Sequence, residues 1–71
     1  MPSAVQSRLA IELEILRIRG LQTSSQLATL VNVTARTIRR DMAILREQEL
    51  VVLNGNAYEL HEAWEQLDVG T

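Results

Sequence analysis

The first twenty residues place apolar and polar side chains at the spacing of an amphipathic helix. The pattern predicts a helix over about residues 3–19, with Ser3 as a candidate N-cap and Gly20 as the stop. Three leucines form the predicted buried stripe and three isoleucines are expected to widen it: Leu9, Leu13, Leu16, Ile11, Ile15 and Ile18.

A second, shorter helix is predicted over residues 24–31. Thr23 stands at its N-cap with Gln26 three residues later, which is the spacing of a capping box. Four apolar residues form its expected buried face: Leu27, Ala28, Leu30 and Val31. Asn32 tolerates left-handed backbone and so predicts the end of the helix, with Val33 filling the turn beneath.

A third helix follows after a connection of only three residues. Thr34 is its predicted N-cap, and Ile38, Met42 and Leu45 recur on one side of a helix over about residues 35–48. Two short helices joined this tightly, the second of them rich in arginine, are typical of a helix-turn-helix.

From residue 50 the apolar period changes to two, which predicts a β-hairpin over about residues 50–60. Four residues are expected to share one side of it: Val51, Leu53, Tyr58 and Leu60. The turn is expected at Asn54-Gly55-Asn56. Asn-Gly is a strong hairpin signal, because both central residues of such a tight turn need positive φ. A hairpin directly after such a third helix is a wing.

Helical spacing returns after the hairpin, in Leu60, Ala63, Trp64 and Leu67, and predicts a short helix over about residues 61–67. A chain of 71 residues supports one core, so residues 1–71 are expected to form a single domain. The predicted fold is α+β but mostly α: a winged helix-turn-helix with a three-helix core, a hairpin wing and a short C-terminal helix.

Charge is distributed unevenly along the chain, although the net charge is only -2. Residues 21–46 carry four arginines against one acid, whereas residues 47–71 carry six acids and no lysine or arginine. Because salt screens charges beyond ~8 to 10 Å, a basic face can hold phosphates while an acidic end faces away from them.

Several classes of function are disfavoured by the residues present. His61 is the only histidine, cysteine is absent and no glycine-rich phosphate loop occurs, so we expect no enzymatic activity, no metal and no cofactor. No apolar run approaches the ~20 residues that cross a bilayer, and the N-terminus lacks the regions of a secretory signal. We therefore expect a cytoplasmic protein with no membrane partner.

The segment TSSQLATLVNVTARTIRRDMAILREQEL, from Thr23 to Leu50, resembles the DNA-binding domain of the DeoR-type repressors. The pattern of that family runs without a gap onto Leu27-Ala28, Val33-Thr34, Thr37-Ile38-Arg39-Arg40-Asp41, Leu45 and Leu50. The resemblance implies a bacterial or bacteriophage transcriptional regulator that binds double-stranded DNA with its third helix in the major groove.

Three features depart from the family's pattern. Glu49 stands where the family usually has glycine, so the exit from the third helix is expected to differ in detail. Leu53 and Asn54 replace the usual basic residues of the wing, which weakens the expectation of phosphate contacts there. The family usually continues into a larger sugar-phosphate-binding domain, which this sequence does not include, so no effector is implied.

The third helix also presents a DNA-binding face when judged from its residues alone. Arg36 and Arg40 lie one turn apart, opposite the apolar positions, with the small Ala43 between them in projection. Arginine can bond guanine O6 and N7 together, whereas Arg39 on the flank reaches phosphate more naturally. The complete predicted DNA-binding set is Thr23, Thr34, Ala35, Arg36, Thr37, Arg39, Arg40, Ala43, Asn54 and Asn56.

Three polar residues near this face have a structural interpretation as well. Thr23 and Thr34 are expected first to cap their helices, and phosphate binding at those helix ends would be a second use. Asp41 is expected to form a salt bridge that orients one of the arginines beside it, rather than to act in catalysis.

The sequence leaves more than one function open. The main rival is a winged-helix protein-protein interaction module that does not bind DNA directly, favoured by the acidic composition and the wing without basic residues. The sequence does not rank repressor, activator and excision factor.

A homodimer is expected, with contacts from Leu60, Ala63, Trp64 and Leu67 and with Arg8, Arg17 or Arg19 of the partner meeting the acids around them. The same apolar residues could instead pack on the first helix of their own chain.

Overall fold

A computed structural model of the protein describes residues 3–61 and contains three α-helices and three β-strands there. The elements in chain order are α1 (Ala4–Arg19), β1 (Gln22–Thr23), α2 (Ser24–Val31), α3 (Ala35–Glu47), β2 (Val51–Asn54) and β3 (Ala57–Leu60). The strands form one antiparallel sheet in the order β1-β3-β2. This is a winged helix-turn-helix, as predicted. The short helix predicted over residues 61–67 falls almost wholly outside the described residues.

Side-chain caps fix the start of each helix. Ser3 and Thr23 both form capping boxes, with Gln6 and Gln26 as the respective partners three residues later. Thr34 caps α3 through its hydroxyl oxygen, which accepts a hydrogen bond from the backbone N–H of Thr37. Each cap satisfies N–H groups that a helix end would otherwise leave without a partner.

Left-handed residues end the helices. Gly20 follows α1 with φ 80°, and Asn32 follows α2 with φ 63° and ψ 49°, as their residue types predict. α3 ends in a Schellman motif, in which the N–H of Leu50 bonds the carbonyl of Leu45 and the N–H of Glu49 bonds that of Arg46. Glu49 has φ 62°, so it occupies a left-handed position that favours glycine.

The core lies between the three helices and one face of the sheet. Eight apolar side chains are buried there: Leu16, Leu27, Ile38, Met42, Leu45, Val51, Tyr58 and Leu60. The predicted inner residues of α3 and most of those of the hairpin are therefore confirmed. Leu60 is only 8% exposed in this core, so its predicted part in a contact between subunits is wrong.

Four apolar residues predicted to be buried are exposed instead. Ile11 and Ile18 lie on the outer side of α1, Leu30 is 42% exposed on α2, and Leu53 is 43% exposed near the tip of the hairpin. The first helix carries apolar residues on more than one side, and helical spacing alone does not tell which side meets the core. Leu53 does pair with Tyr58 across the hairpin, but it lies beyond the edge of the core.

The sheet differs from the prediction in two places. β1 is a two-residue strand that pairs Gln22 with Tyr58 and Thr23 with Ala57, and it was not predicted because two residues show no period. The hairpin turn has Gly55 and Asn56 as its central residues, because Asn54 still pairs with Ala57. Only Gly55 has positive φ there, at 67°, so the expectation of two such residues is wrong.

Candidate nucleic-acid interface

The two sides of α3 have opposite environments. Ile38, Met42 and Leu45 face the core, with Ile38 and Met42 completely buried. Arg36 and Arg40 are exposed on the other side, and Ala43 is exposed with them. Arg39 is also exposed, while Ala35 and Thr37 are half-buried in the first turn. The predicted face therefore exists, and its members reach solvent where they were expected to.

Three arginines of this face, which we call the α3 arginines, are Arg36, Arg39 and Arg40. Within residues 3–61 none of them forms a hydrogen bond or an ion pair. The single acid among them in sequence, Asp41, is only 2% exposed and turns inward. The outward side of this part of α3 therefore presents positive charge that no neighbouring carboxylate of α3 neutralises.

Asp41 binds an arginine of another helix. Arg8 of α1 donates two hydrogen bonds to it, from Nε to Oδ2 at 2.6 Å and from Nη2 to Oδ1 at 2.9 Å. Such a two-pronged contact fixes direction as well as distance. The structural role predicted for Asp41 is correct, but its partner is Arg8 and not an arginine of α3. The pair anchors α3 to α1.

Glu12 completes this cluster, and its position was not predicted. It lies 3.8 Å from Arg8 Nε, its side chain is 0% exposed, and neither carboxyl oxygen accepts a hydrogen bond from the described residues. Burial raises the pKa of Glu12 to about 9, and the adjacent Asp41 adds to the rise. Burial also opposes ionisation of Asp41, but the two hydrogen bonds and the positive charge of Arg8 outweigh it and lower the Asp41 pKa.

The cluster is therefore a protonated Glu12 beside an ionised Asp41 and a positive Arg8, which avoids two buried negative charges. The i, i+4 spacing of Arg8 and Glu12 was the signal available in the sequence, together with the place of Glu12 among the leucines of α1.

The threonines at the helix starts act as caps. Thr23 accepts from the N–H of Gln26 at 3.1 Å, and Thr34 accepts from Thr37 at the same distance. The hydroxyls of Thr34 and Thr37 also bond each other at 3.0 Å. This agrees with the capping interpretation, and it leaves the first turn of α3 at the surface beside the α3 arginines.

The two asparagines of the wing are both exposed, but they differ in their hydrogen bonding. Asn54 Nδ2 donates to Glu59 Oε2 at 3.0 Å, so this amide is engaged across the hairpin. Asn56 lies exposed in the turn. Leu53 and Val52 are the exposed apolar residues of the wing, and no positive side chain lies between residues 50 and 60.

A comparison with protein-family models matches residues 8–63 to the DeoR-like helix-turn-helix domain. The match covers well over half of the chain and contains all three helices' core positions and the wing. The chain belongs to the DeoR-like helix-turn-helix family. No curated protein sequence matches it.

Membership of the DeoR-like family makes this chain a DNA-binding regulator in the general sense. The geometry agrees, because the helix-turn-helix made by α2 and α3 carries the exposed α3 arginines. Between residues 3 and 61 no helix is both long enough and apolar enough to cross a membrane. In the same range no three His, Asp or Glu side chains are grouped so that they could hold a metal ion.

Proposed function

We propose that the protein binds double-stranded DNA sequence-specifically as a transcriptional regulator, with α3 in the major groove. The observation that supports this most is the division of α3 into a buried apolar side and an exposed side with three arginines that have no partner within residues 3–61. An α-helix fits the major groove of B-DNA, and positive charge with no internal partner is available for phosphates and base edges.

Within this proposal the α3 arginines have two roles. Arg36 and Arg40 contact base edges, since the exposed Ala43 beside them lets the helix approach closely. Arg39 on the flank contacts phosphate, and the start of α3 at Thr34 offers a helix end to another phosphate. Asn56 at the tip of the wing reaches the adjoining backbone of the DNA.

The remaining parts of the role follow from binding DNA. We propose that the chain acts without catalysis, in the cytoplasm of a bacterial cell or as a phage protein in a bacterial host. We further propose that it represses, because a protein seated in the major groove excludes others from the same site. It binds as a homodimer, since one unit whose wing has no basic residue makes few phosphate contacts and therefore has limited affinity.

Selection of bound sequences from a random DNA pool tests the central claim. We expect one enriched motif of a few base pairs, with guanines opposite Arg36 and Arg40, and affinity for it that falls steeply with salt. If no motif were enriched among the bound sequences at any salt concentration, sequence-specific binding would be contradicted.

A second candidate function is a protein-protein interaction module. The exposed Val52 and Leu53 on a wing without positive charge favour it. One experiment distinguishes the two functions. Replacement of the α3 arginines abolishes DNA binding if the protein is a DNA-binding regulator, whereas an interaction module has no DNA binding to lose.

A further inference from the structure

The helix α1 is apolar on two sides, and the described chain covers only one of them. The covered side includes Leu16 and the protonated Glu12. The other side carries Ile11, Ile15 and Ile18, which we call the isoleucine stripe. Ile11 is 53% exposed and Ile18 68% exposed, while Ile15 between them is half-buried because part of it packs against the core. Isoleucine loses side-chain freedom in a helix, so helix formation alone does not account for these residues.

We propose that the isoleucine stripe joins two copies of this chain, with α1 packed in parallel against α1 of the second copy. The inference rests on the proposed homodimer and supplies its contact surface. The stripe runs at i, i+4 and i+7, which is the spacing with which two helices interlock side chains along a seam. Two copies then bury the same residues against each other, as two-fold symmetry requires.

The charges beside the isoleucine stripe suit a parallel second copy. Glu14 borders the stripe on one side and Arg19 borders it on the other, five residues further along. In a parallel pair such flanking positions meet across the seam, so Glu14 of each copy faces Arg19 of the other. An antiparallel pair centred on the stripe would instead bring the two Glu14 side chains together.

Charge also distinguishes a second copy from the C-terminal residues 62–71 as the occupant of the stripe. Those residues carry three acids and no lysine or arginine, whereas the borders of the stripe carry one charge of each sign. Arg8 is bonded to Asp41, and Arg17 lies further round α1 than Glu14, with which it forms a surface ion pair. An acidic segment on the stripe would meet Arg19 on one border and Glu14, of its own sign, on the other, whereas a second copy offers both signs.

The size of the contact sets its strength. Three isoleucines a copy cover much less than the ~800 Å² per partner of a stable complex, so the free chain is expected to associate weakly. Two adjacent half-sites raise the effective concentration of the second chain, and the pair therefore forms readily on DNA.

The test compares two variants of the full chain that each add one positive charge. Ile18→Lys changes the most exposed residue of the stripe, and Leu30→Lys changes an exposed residue of α2 as a matched control. Binding is measured on a duplex with one selected half-site and on a duplex with an inverted pair. Ile18→Lys should lower cooperativity on the pair by about ten-fold and leave the single half-site unchanged, while Leu30→Lys should leave cooperativity unchanged.

A charge exchange tests the parallel arrangement. Glu14→Arg and Arg19→Glu should each weaken association, and the double variant should restore it, because the facing signs are opposite again. Sedimentation of the free chains at high concentration gives the same comparison without DNA. If binding to every duplex failed, the proposed function would be wrong, and sedimentation would still decide the stripe.

Two results would overturn the proposal. One is unchanged cooperativity and unchanged sedimentation in Ile18→Lys, with helix content and melting temperature preserved. The other is a red-shifted emission of Trp64, the only tryptophan, in Ile18→Lys at concentrations where the chain is a monomer. That shift would show that residues 62–71 cover the stripe within one chain.

Discussion

Arg40 and Asp41 are neighbours in the sequence, yet their side chains have opposite environments. Arg40 is exposed without a partner in the described chain, while Asp41 is buried and bonded to Arg8. We expect Arg40→Ala to weaken binding to the selected site by about 1 to 3 kcal/mol and to relax the preference at one base pair. Melting temperature should not change. Titration on a single half-site checks this.

The control for Arg40→Ala is Arg19→Ala, which removes the same charge from an exposed position of α1. It should leave the base preference intact. Equal loss in both variants would mean that Arg40 acts only through net charge, and the assignment to a base edge would then be wrong.

Glu49 holds a backbone conformation that glycine adopts without cost. Its φ of 62° lies in the left-handed region, where a β-carbon is disfavoured by about 1 kcal/mol or more. Glu49→Gly should therefore stabilise the fold by about 0.5 to 1 kcal/mol, after the greater freedom of glycine in the unfolded chain is subtracted. Gln48→Gly, one residue earlier at φ -83°, should destabilise it. Thermal melts that rank the two variants the other way would contradict this account.

The elements show which contacts hold α3 in place. Ile38 is completely buried and Ile44 on the same helix is 38% exposed, so the pair offers the same substitution in two environments. Ile38→Ala should lower the free energy of unfolding by about 2 to 5 kcal/mol through the cavity it leaves. Ile44→Ala should change it by no more than about 0.5 kcal/mol. Leu45→Ala is expected to behave like Ile38→Ala.

Denaturant titration measures these differences, with circular dichroism to confirm that each variant folds. A domain this small has little stability to spare, so Ile38→Ala could also be unfolded without denaturant, which agrees with the prediction. Equal midpoints for Ile38→Ala and Ile44→Ala would contradict it.

The elements also show which features of the fold could be predicted from the sequence. The caps at Thr23 and Thr34, the left-handed Asn32 and the inner side of α3 depend on neighbours within a few residues, and they were predicted. The burial of α1 was predicted only in part, because leucines and isoleucines offered two apolar sides and the choice depends on what packs there. β1 forms only because β3 lies beside it.

The residues of the candidate site also fall into those that local patterns predicted and those that they did not. The α3 arginines were predicted because a helix with one apolar side exposes the residues of the other. The contact of Arg8 with Asp41 joins residues 33 apart, so no local pattern contains it. Glu12 was missed because a carboxyl group on a buried side is exceptional, and it is tolerated here because its raised pKa keeps it protonated.

The Arg8–Asp41–Glu12 cluster makes stability depend on pH. With a folded pKa of about 9, Glu12 keeps its proton in the folded chain at pH values where the unfolded chain has lost it. Folding then becomes less favourable as pH rises between the unfolded and folded pKa values, by at most about 1.4 kcal/mol per pH unit. Below that window the lowered pKa of Asp41 acts in the opposite sense, because stability falls when its carboxylate is protonated.

Glu12→Gln tests the upper part of this dependence. The amide keeps the shape of the protonated carboxyl group and does not ionise, so the fall in melting temperature between pH 6 and pH 9 should largely disappear. Glu14→Gln, at an exposed position of the same helix, should keep the slope of the parent. A parent chain whose stability is flat across this range would show that Glu12 is ionised in the fold or not buried.

Considered as a whole, the sequence places four of its seven arginines on α3 and has no lysine or arginine after residue 46. The net charge of -2 does not by itself oppose DNA binding, because salt largely screens charges that lie more than ~8 to 10 Å from the DNA. The wing is the part of the predicted interface that adds no positive charge, and the apolar Leu53 is exposed on it.

A single unit with about four to six phosphate contacts should show a slope of log affinity against log salt of about -4 to -5. Leu53→Lys places one positive charge at the wing and should steepen that slope by about 0.9, with tighter binding at low salt and the same base preference. Leu30→Lys adds the same charge at an exposed position of α2 and should leave the slope unchanged. Filter binding or fluorescence anisotropy at several salt concentrations measures both. An unchanged slope in Leu53→Lys would mean that the wing does not reach the phosphates, and α3 would then carry the contact without it.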